Sequence, residues 1–191
     1  MNQFSDEKIF KLFQDGDKKA FDQLVIKYKD RLYNFIYRIV NDVDLAEDLT
    51  QDTYVKVYLN KNSYKEIYKF STWMYTIAKN LAFTELRKKN RRKTFAFSDM
   101  KKNDDWDFQV ADTDSGNIDN EINNKEKKKN IQRALSLLPI DFRTIIILRD
   151  IQELSYEDIS KIVEVPIGTV KSRINRGREK LYHLLKGKDI I

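Results

Sequence analysis

Cysteine is absent from this chain of 191 residues, which excludes disulfides and cysteine-based metal sites. Histidine occurs once, as His183 near the chain end, so there is no histidine cluster for a metal centre, and His183 reads as a surface residue rather than a ligand or half of a nucleophile–base pair. Glycine is scarce and no glycine-rich phosphate loop is present. The two prolines, Pro139 and Pro166, both lie late in the chain, leaving everything before them free of the strongest helix breaker. Long apolar runs are missing too: Ile145 to Leu148 is far shorter than the roughly 20 residues that cross a bilayer. These absences argue against an enzyme, a bound cofactor or a membrane-inserted protein. With no signal peptide expected ahead of Ser5, a cytoplasmic location is the expectation.

What is present is helical patterning. Hydrophobic residues make up 41% of the chain, enough for packed cores, and they recur at helical rather than alternating spacing. Phe4 to Phe13 reads as a short amphipathic helix. Asp17 can cap a longer one whose stripe is Phe21, Leu24, Val25, Tyr28, Leu32, Phe35, Ile36 and Ile39. Asp44 with Glu47 resembles a capping box opening a helix to about Leu59, and a polar bend precedes a helix from about Ser71 to Lys89. From Ser98 to Asn124 acids dominate and apolar periodicity vanishes, the composition of a tether. Helical spacing returns with Ile131, Leu135 and Leu138, pauses at Pro139, and resumes. The expectation is an all-α protein of two small helical domains, residues 1–95 and 125–191, joined by a flexible acidic linker, 96–124.

The segment from Leu154 to Leu185 is the most specific. Ser155 sits three residues before Asp158, an N-cap with an acid at the reciprocal position, and Leu154 and Ile159 take hydrophobic-staple positions. Val165-Pro166 ends the first helix and a second begins at once. Val170, Ile174, Gly177, Leu181, Leu184 and Leu185 give that second helix its buried face, with Gly177 permitting close approach. The opposite face carries Thr169, Ser172, Asn175 and Arg176, flanked by Lys171 and Arg173. From Gly168 to Lys188 seven lysines and arginines face one acid, Glu179. This is the pattern of a helix-turn-helix whose second helix enters the major groove. Arg176 and Ser172 are the candidates for base edges, with Lys171, Arg173 and Arg178 on phosphates. The alternative is a solvated basic helix within a bundle.

Two features of the amino-terminal half need a function as well. Asp48, Gln51, Asp52, Val55 and Leu59 form a second stripe on their helix, mixing acids with apolar groups in the way a basic helical partner would require. An ordinary solvated face has the same composition. On the next helix Trp73, Thr76, Asn80, Phe83 and Arg87 share a face that runs into the basic cluster from Arg87 to Lys93. Aromatics, amides and cations interleaved in this way suit bases leaving a duplex, with Ser63, Tyr64 and Lys65 offering a pocket for an extruded base. Core aromatics followed by a basic helix end would look similar.

Four separated motifs resemble those of bacterial sigma factors of the extracytoplasmic-function (ECF) group, in the same order and spacing. They are Asp44-Leu45-Ala46-Glu47-Asp48-Leu49-Thr50-Gln51-Asp52-Thr53-Tyr54, Phe70-Ser71-Thr72-Trp73-Met74-Tyr75-Thr76-Ile77-Ala78-Lys79-Asn80, Leu137-Leu138-Pro139, and the helix-turn-helix from Leu154 through Arg173. The resemblance implies a region-two domain that binds core RNA polymerase and reads the minus-ten element, and a region-four domain that reads the minus-thirty-five element. By position it implies polymerase contacts at Asp48, Gln51, Asp52 and Val55. It places the minus-ten element against Ser63, Tyr64, Lys65, Trp73, Thr76, Asn80 and Arg87. It places the minus-thirty-five duplex against Thr169, Lys171, Ser172, Arg173, Asn175, Arg176 and Arg178. Its implied partners are core RNA polymerase, promoter DNA and an anti-sigma factor. A plain two-domain regulator would share the helix-turn-helix but would have no use for the two amino-terminal stripes.

Overall fold

The computed structural model describes residues 4–99 and 119–186. Among them every regular element is helical: α1 (Asp6–Gln14), α2 (Lys18–Val40), α3 (Val43–Leu59), α4 (Phe70–Asp99), α5 (Asp119–Leu137), α6 (Ile140–Ile146), α7 (Tyr156–Val163) and α8 (Ile167–Lys186). A 3₁₀ turn at Lys61–Ser63 and a π-helical turn at Ile147–Ile151 complete the path. The expected linker lies for the most part outside the described residues, and its two ends are the last turn of α4 and the start of α5.

Local chemistry sets the boundaries. The Asp17 carboxylate accepts from the Lys19 amide at 2.9 Å and opens α2. Asn41 closes that helix in the left-handed region, φ 53°, a conformation asparagine tolerates better than most residues. The reversal leaves Asp42 extended, and its carboxylate accepts from the Leu45 amide at 3.2 Å. Asp42 therefore caps α3, not the expected Asp44, which sits inside the first turn where an acid still favours the helix dipole. Helix α4 runs to Asp99, beyond the expected stop at Lys89, because no glycine or proline interrupts that stretch.

Packing joins the two halves. Phe10, Phe13, Leu24, Leu32, Phe35, Ile36, Ile39, Met74 and Ala78 are buried at the centre of the amino-terminal helices. The same contiguous core takes in Ile145, Ile147, Leu148, Ile159, Ile162, Val170 and Ile174 from the other half. Each such aliphatic contributes about 1.5–3 kcal/mol on burial. Leu135, Leu138 and Ile146 form a smaller cluster with Leu181 and Leu184. Helix α7 lies along α4, so the two lobes are closed on one another.

The helix-turn-helix forms as its sequence dictates. The Ser155 hydroxyl accepts from the Asp158 amide at 3.1 Å and donates to the Asp158 carboxylate at 2.7 Å. Glu164 takes a left-handed turn, φ 57°, and the Ser160 hydroxyl holds the Val165 carbonyl at 2.6 Å. The Pro166 carbonyl then accepts from the Val170 amide as α8 begins. Gly177 lies buried against α6, where an added Cβ would come within 3.0 Å of Ile146 Cγ1.

Candidate polymerase and nucleic-acid interfaces

Three surfaces carry the expected residues. On α3 the inward face is Ala46, Leu49, Thr53 and Val57, all buried, with the Thr53 hydroxyl donating to the Leu49 carbonyl at 2.7 Å. That packing turns Asp48, Gln51, Asp52 and Val55 outward, and all four are exposed. Val55 at 54% and Leu59 at 74% exposure extend an apolar strip beside the two carboxylates. Such a strip in water is costly unless a partner covers it.

The second surface is a cleft of about 360 Å³ between α3 and α4. Trp73, Ile77, Asn80, Leu81 and Thr84 of α4 form one wall, and Lys56, Asn60 and Ser63 form the other. Of the expected residues, Ser63, Trp73 and Asn80 meet here. Lys65 and Arg87 are exposed outside it. Thr76 is half-buried with its hydroxyl donated to the Thr72 carbonyl at 2.8 Å. Tyr64 is buried, its hydroxyl donating to the Tyr68 carbonyl at 2.7 Å, and burial pushes its phenol up to about 12. Its ring packs on Phe10, Phe70 and Trp73 at 5.0–6.2 Å, so Tyr64 buttresses Trp73 from behind the cleft.

Helix α1 fixes this region from a distance. Gln14 Nε2 donates to the carbonyls of Lys61 at 2.6 Å and Tyr64 at 3.2 Å. Lys61 Nζ returns bonds to the carbonyls of Phe13 and Gln14, each at 3.2 Å. The Phe70 amide, at the start of α4, donates to the Glu7 carboxylate at 3.1 Å. Glu7, Gln14 and Lys61 are not marked in the sequence because their partners are tens of residues away, and Lys56 and Asn60 because only the approach of α4 makes them a wall of the cleft.

The third surface is the outer face of α8. Lys171, Ser172, Asn175 and Arg176 are exposed and Thr169 is half-buried. Arg173 is half-buried, 3.7 Å from the Asp141 carboxylate. Arg178 is committed to Asp150, with Nε donating at 3.1 Å and a terminal nitrogen completing a fork. That ion pair leaves Arg178 less available to a phosphate than Lys171 or Arg176, which carry no ion pair among the described residues.

Comparison with known proteins decides the family. The description Sigma-70 region 2 matches residues 24–92 and Sigma-70 region 4 matches residues 128–181. The chain is 35% identical over 191 residues to the ECF RNA polymerase sigma factor SigW of Bacillus subtilis (strain 168), covering 94% of this chain and 96% of that protein. The chain belongs to the sigma-70 family, in its ECF group. It is 33% identical over 179 residues to the ECF RNA polymerase sigma-E factor of Escherichia coli (strain K12), with 94% and 93% of the two chains covered. Among solved structures it resembles the sigma factor RpoE, in a complex with the anti-sigma factor NepR from Bartonella quintana. That match has a TM-score of 0.68 and 30% identity, covering 88% of this chain and 98% of that one. A further structure, CnrH in complex with the cytosolic domain of CnrY, shares the fold with a TM-score of 0.72 at 20% identity, over 95% and 97% of the two chains.

As a sigma factor the chain is not an enzyme, and its two family regions map onto the two lobes. Region 2 runs from within α2 into α4 and so includes the exposed α3 stripe and the cleft. Region 4 runs from within α5 into α8 and includes the helix-turn-helix. Helix α1 lies ahead of the region 2 match, yet it supplies the cap of α4 and the brace of the cleft. Among the described residues no helix is long and apolar enough to cross a membrane.

Proposed function

We infer that this sigma factor binds core RNA polymerase and carries it to promoters by reading two DNA elements, assisting the melting of one. The observation that carries the assignment is the pairing of an uncovered acidic and apolar stripe on α3 with an open aromatic and amide cleft between α3 and α4. A regulator that only bound duplex DNA would need neither. Asp48, Gln51, Asp52 and Val55 meet the polymerase, where burial of Val55 supplies affinity and the carboxylates supply register. Ser63, Trp73 and Asn80 receive bases of the minus-ten element as they leave the stack, while Lys65 and Arg87 hold the backbone. Tyr64 and Thr76 shape that site without reaching into it.

On α8, Arg176, Asn175 and Ser172 read base edges of the minus-thirty-five duplex, with Lys171, Thr169 and Arg173 on its phosphates. Arg178 serves chiefly to hold α8 to Asp150. Neither reader needs to bind tightly alone, because attachment to one polymerase raises the effective concentration of both. The RpoE structure holds an anti-sigma factor, and we propose that an anti-sigma factor also restrains this chain, in the cytoplasm. Size-exclusion chromatography with core polymerase tests the attachment: co-elution is expected, and separate peaks would remove the basis of the assignment.

A further inference from the structure

We propose that helix α1, which lies ahead of the region 2 match, is a working part of the promoter reader, with Gln14 and Lys61 as positioning residues that fix one wall of the α3–α4 cleft. The proposal rests on the initiation-factor reading above and gives two residues outside the cleft the task of keeping it ready for a base.

That wall has little structure of its own. Between the end of α3 at Leu59 and the start of α4 at Phe70, the regular structure is the 3₁₀ turn Lys61–Ser63. The Ser63 amide donates to the Asn60 carbonyl at 2.9 Å, and the Tyr64 amide to the Lys61 carbonyl at a long 3.4 Å. Two local bonds, one of them weak, hold the segment that carries Asn60 and Ser63 into the cleft.

Helix α1 supplies what the turn lacks. Gln14 Nε2 reaches the Lys61 carbonyl at 2.6 Å and the Tyr64 carbonyl at 3.2 Å, so one side-chain amide ties the two ends of the turn together. Lys61 Nζ donates in return to the Phe13 and Gln14 carbonyls, each at 3.2 Å, at the carboxyl end of α1, where a cation suits both the unpaired carbonyls and the helix dipole. Its ammonium also lies 4.9 Å from the centre of the Phe13 ring. These bonds cross between segments 47 to 50 positions apart, and each of the two residues both donates and accepts.

The opposite wall is held from the same helix. Phe10, fully buried, sets its ring 5.6 Å from that of Trp73 and 5.0 Å from that of Tyr64. Glu7 accepts from the Phe70 amide at 3.1 Å where α4 begins. One short helix therefore fixes Trp73 on one side of the cleft and Ser63 on the other.

A base that leaves the stack gives up its neighbours before it gains a pocket, so a pocket that must first order itself captures it less often. Binding residues on a loop work best when a rigid element holds them. Gln14 and Lys61 are themselves only half-buried. Water can replace their bonds, so their loss should loosen the wall while the core beneath stays packed.

The test uses holoenzyme assembled from core polymerase and the full chain, with a promoter fragment recovered by sequencing the transcripts of the wild-type chain. The fragment carries 2-aminopurine in its minus-ten element, whose fluorescence rises on unstacking. Gln14→Met and Lys61→Met keep the side-chain length and remove the donors, whereas Lys61→Arg keeps a cation that reaches both carbonyls. At saturating promoter the rate of the rise should fall about tenfold in each methionine variant. Affinity for core polymerase, binding of a duplex minus-thirty-five fragment and the thermal midpoint should stay at wild-type values, and Lys61→Arg should recover most of the rate. A rate unchanged in both methionine variants, or a loss that Lys61→Arg does not recover, would overturn the positioning role. So would a fall in polymerase affinity or thermal midpoint large enough to account for the lost rate, since Gln14 and Lys61 would then serve the fold alone. A wild-type holoenzyme that unstacks no minus-ten base removes the initiation-factor reading itself, whereas a normal wild-type rise with indifferent variants removes only the brace.

Discussion

Lys69 and Asp158 stand 89 positions apart in sequence and 2.8 Å apart in space. Burial alone pushes the Asp158 carboxyl up, but the hydrogen bonds from Lys69, Ser155 and Thr72, with the charge of Lys69, outweigh it and hold the carboxyl below its ordinary value. A carboxyl depressed on folding contributes stability above its unfolded value, and that contribution fades as pH falls through the lower folded value. Asp158→Ala should lose about 1–3 kcal/mol at neutral pH. Urea unfolding of both proteins should show the gap narrowing as pH falls below the ordinary carboxylate range. A gap unchanged with pH would mean that the charge does not matter.

The unpaired cations of α8 divide into two kinds. Arg176→Ala should cost about 1–3 kcal/mol of discrimination between a cognate minus-thirty-five duplex and a single-base variant, whereas Lys171→Ala should weaken all sequences alike and flatten the salt dependence. Competition titrations at two salt concentrations separate the outcomes, and reversed behaviour would exchange the roles.

In the cleft, Asn80 is exposed and its replacement leaves the core intact, unlike Trp73, whose ring lies 5.6 Å from that of Phe10. Asn80→Ala should slow open-complex formation, read by permanganate reactivity of melted thymines, while leaving the thermal stability of the protein within about 0.5 kcal/mol of wild type.

On α3, Asp52→Lys places a cation in the acidic stripe without touching a buried group. Affinity for core polymerase should fall about tenfold, equivalent to about 1.4 kcal/mol, with circular dichroism unchanged. An unaltered affinity would move the polymerase contact elsewhere on the chain.

Gly177 tests the packing of the recognition helix. Its missing side chain lets Ile146 approach, an added Cβ would lie 3.0 Å from Ile146 Cγ1, and Ile146 is itself only 2% exposed. Gly177→Val should destabilise the protein by about 1–3 kcal/mol through overpacking, measured by thermal unfolding.

Much of this was legible in the residues. Ser155, Asp17 and Pro166 act locally, within a turn or two, so their roles can be read from spacing, and Gly177 is legible from its place on the apolar stripe of its helix. The exposed stripe from Asp48 to Val55 followed from the buried one at Ala46, Leu49, Thr53 and Val57. Asp42 was passed over because its capping geometry depends on the left-handed turn at Asn41. Tyr64, an aromatic in a polar bend, looks available in the sequence; only the approach of Phe10 and Phe70 shows it buried. The closure of the two lobes could not be read at all. Lys69, Thr72, Tyr75, Gln152 and Asp158 look like ordinary polar residues until the fold brings them together.

Initiation by a defined polymerase tests the central claim most directly. Core RNA polymerase free of other sigma factors would be mixed with this chain and a library of genomic DNA fragments, and the RNA 5′ ends sequenced. The account predicts that start sites appear only when the chain is present, each preceded by a shared pair of sequence elements about 25 base pairs apart. RNA ends that are the same with and without the chain would contradict it.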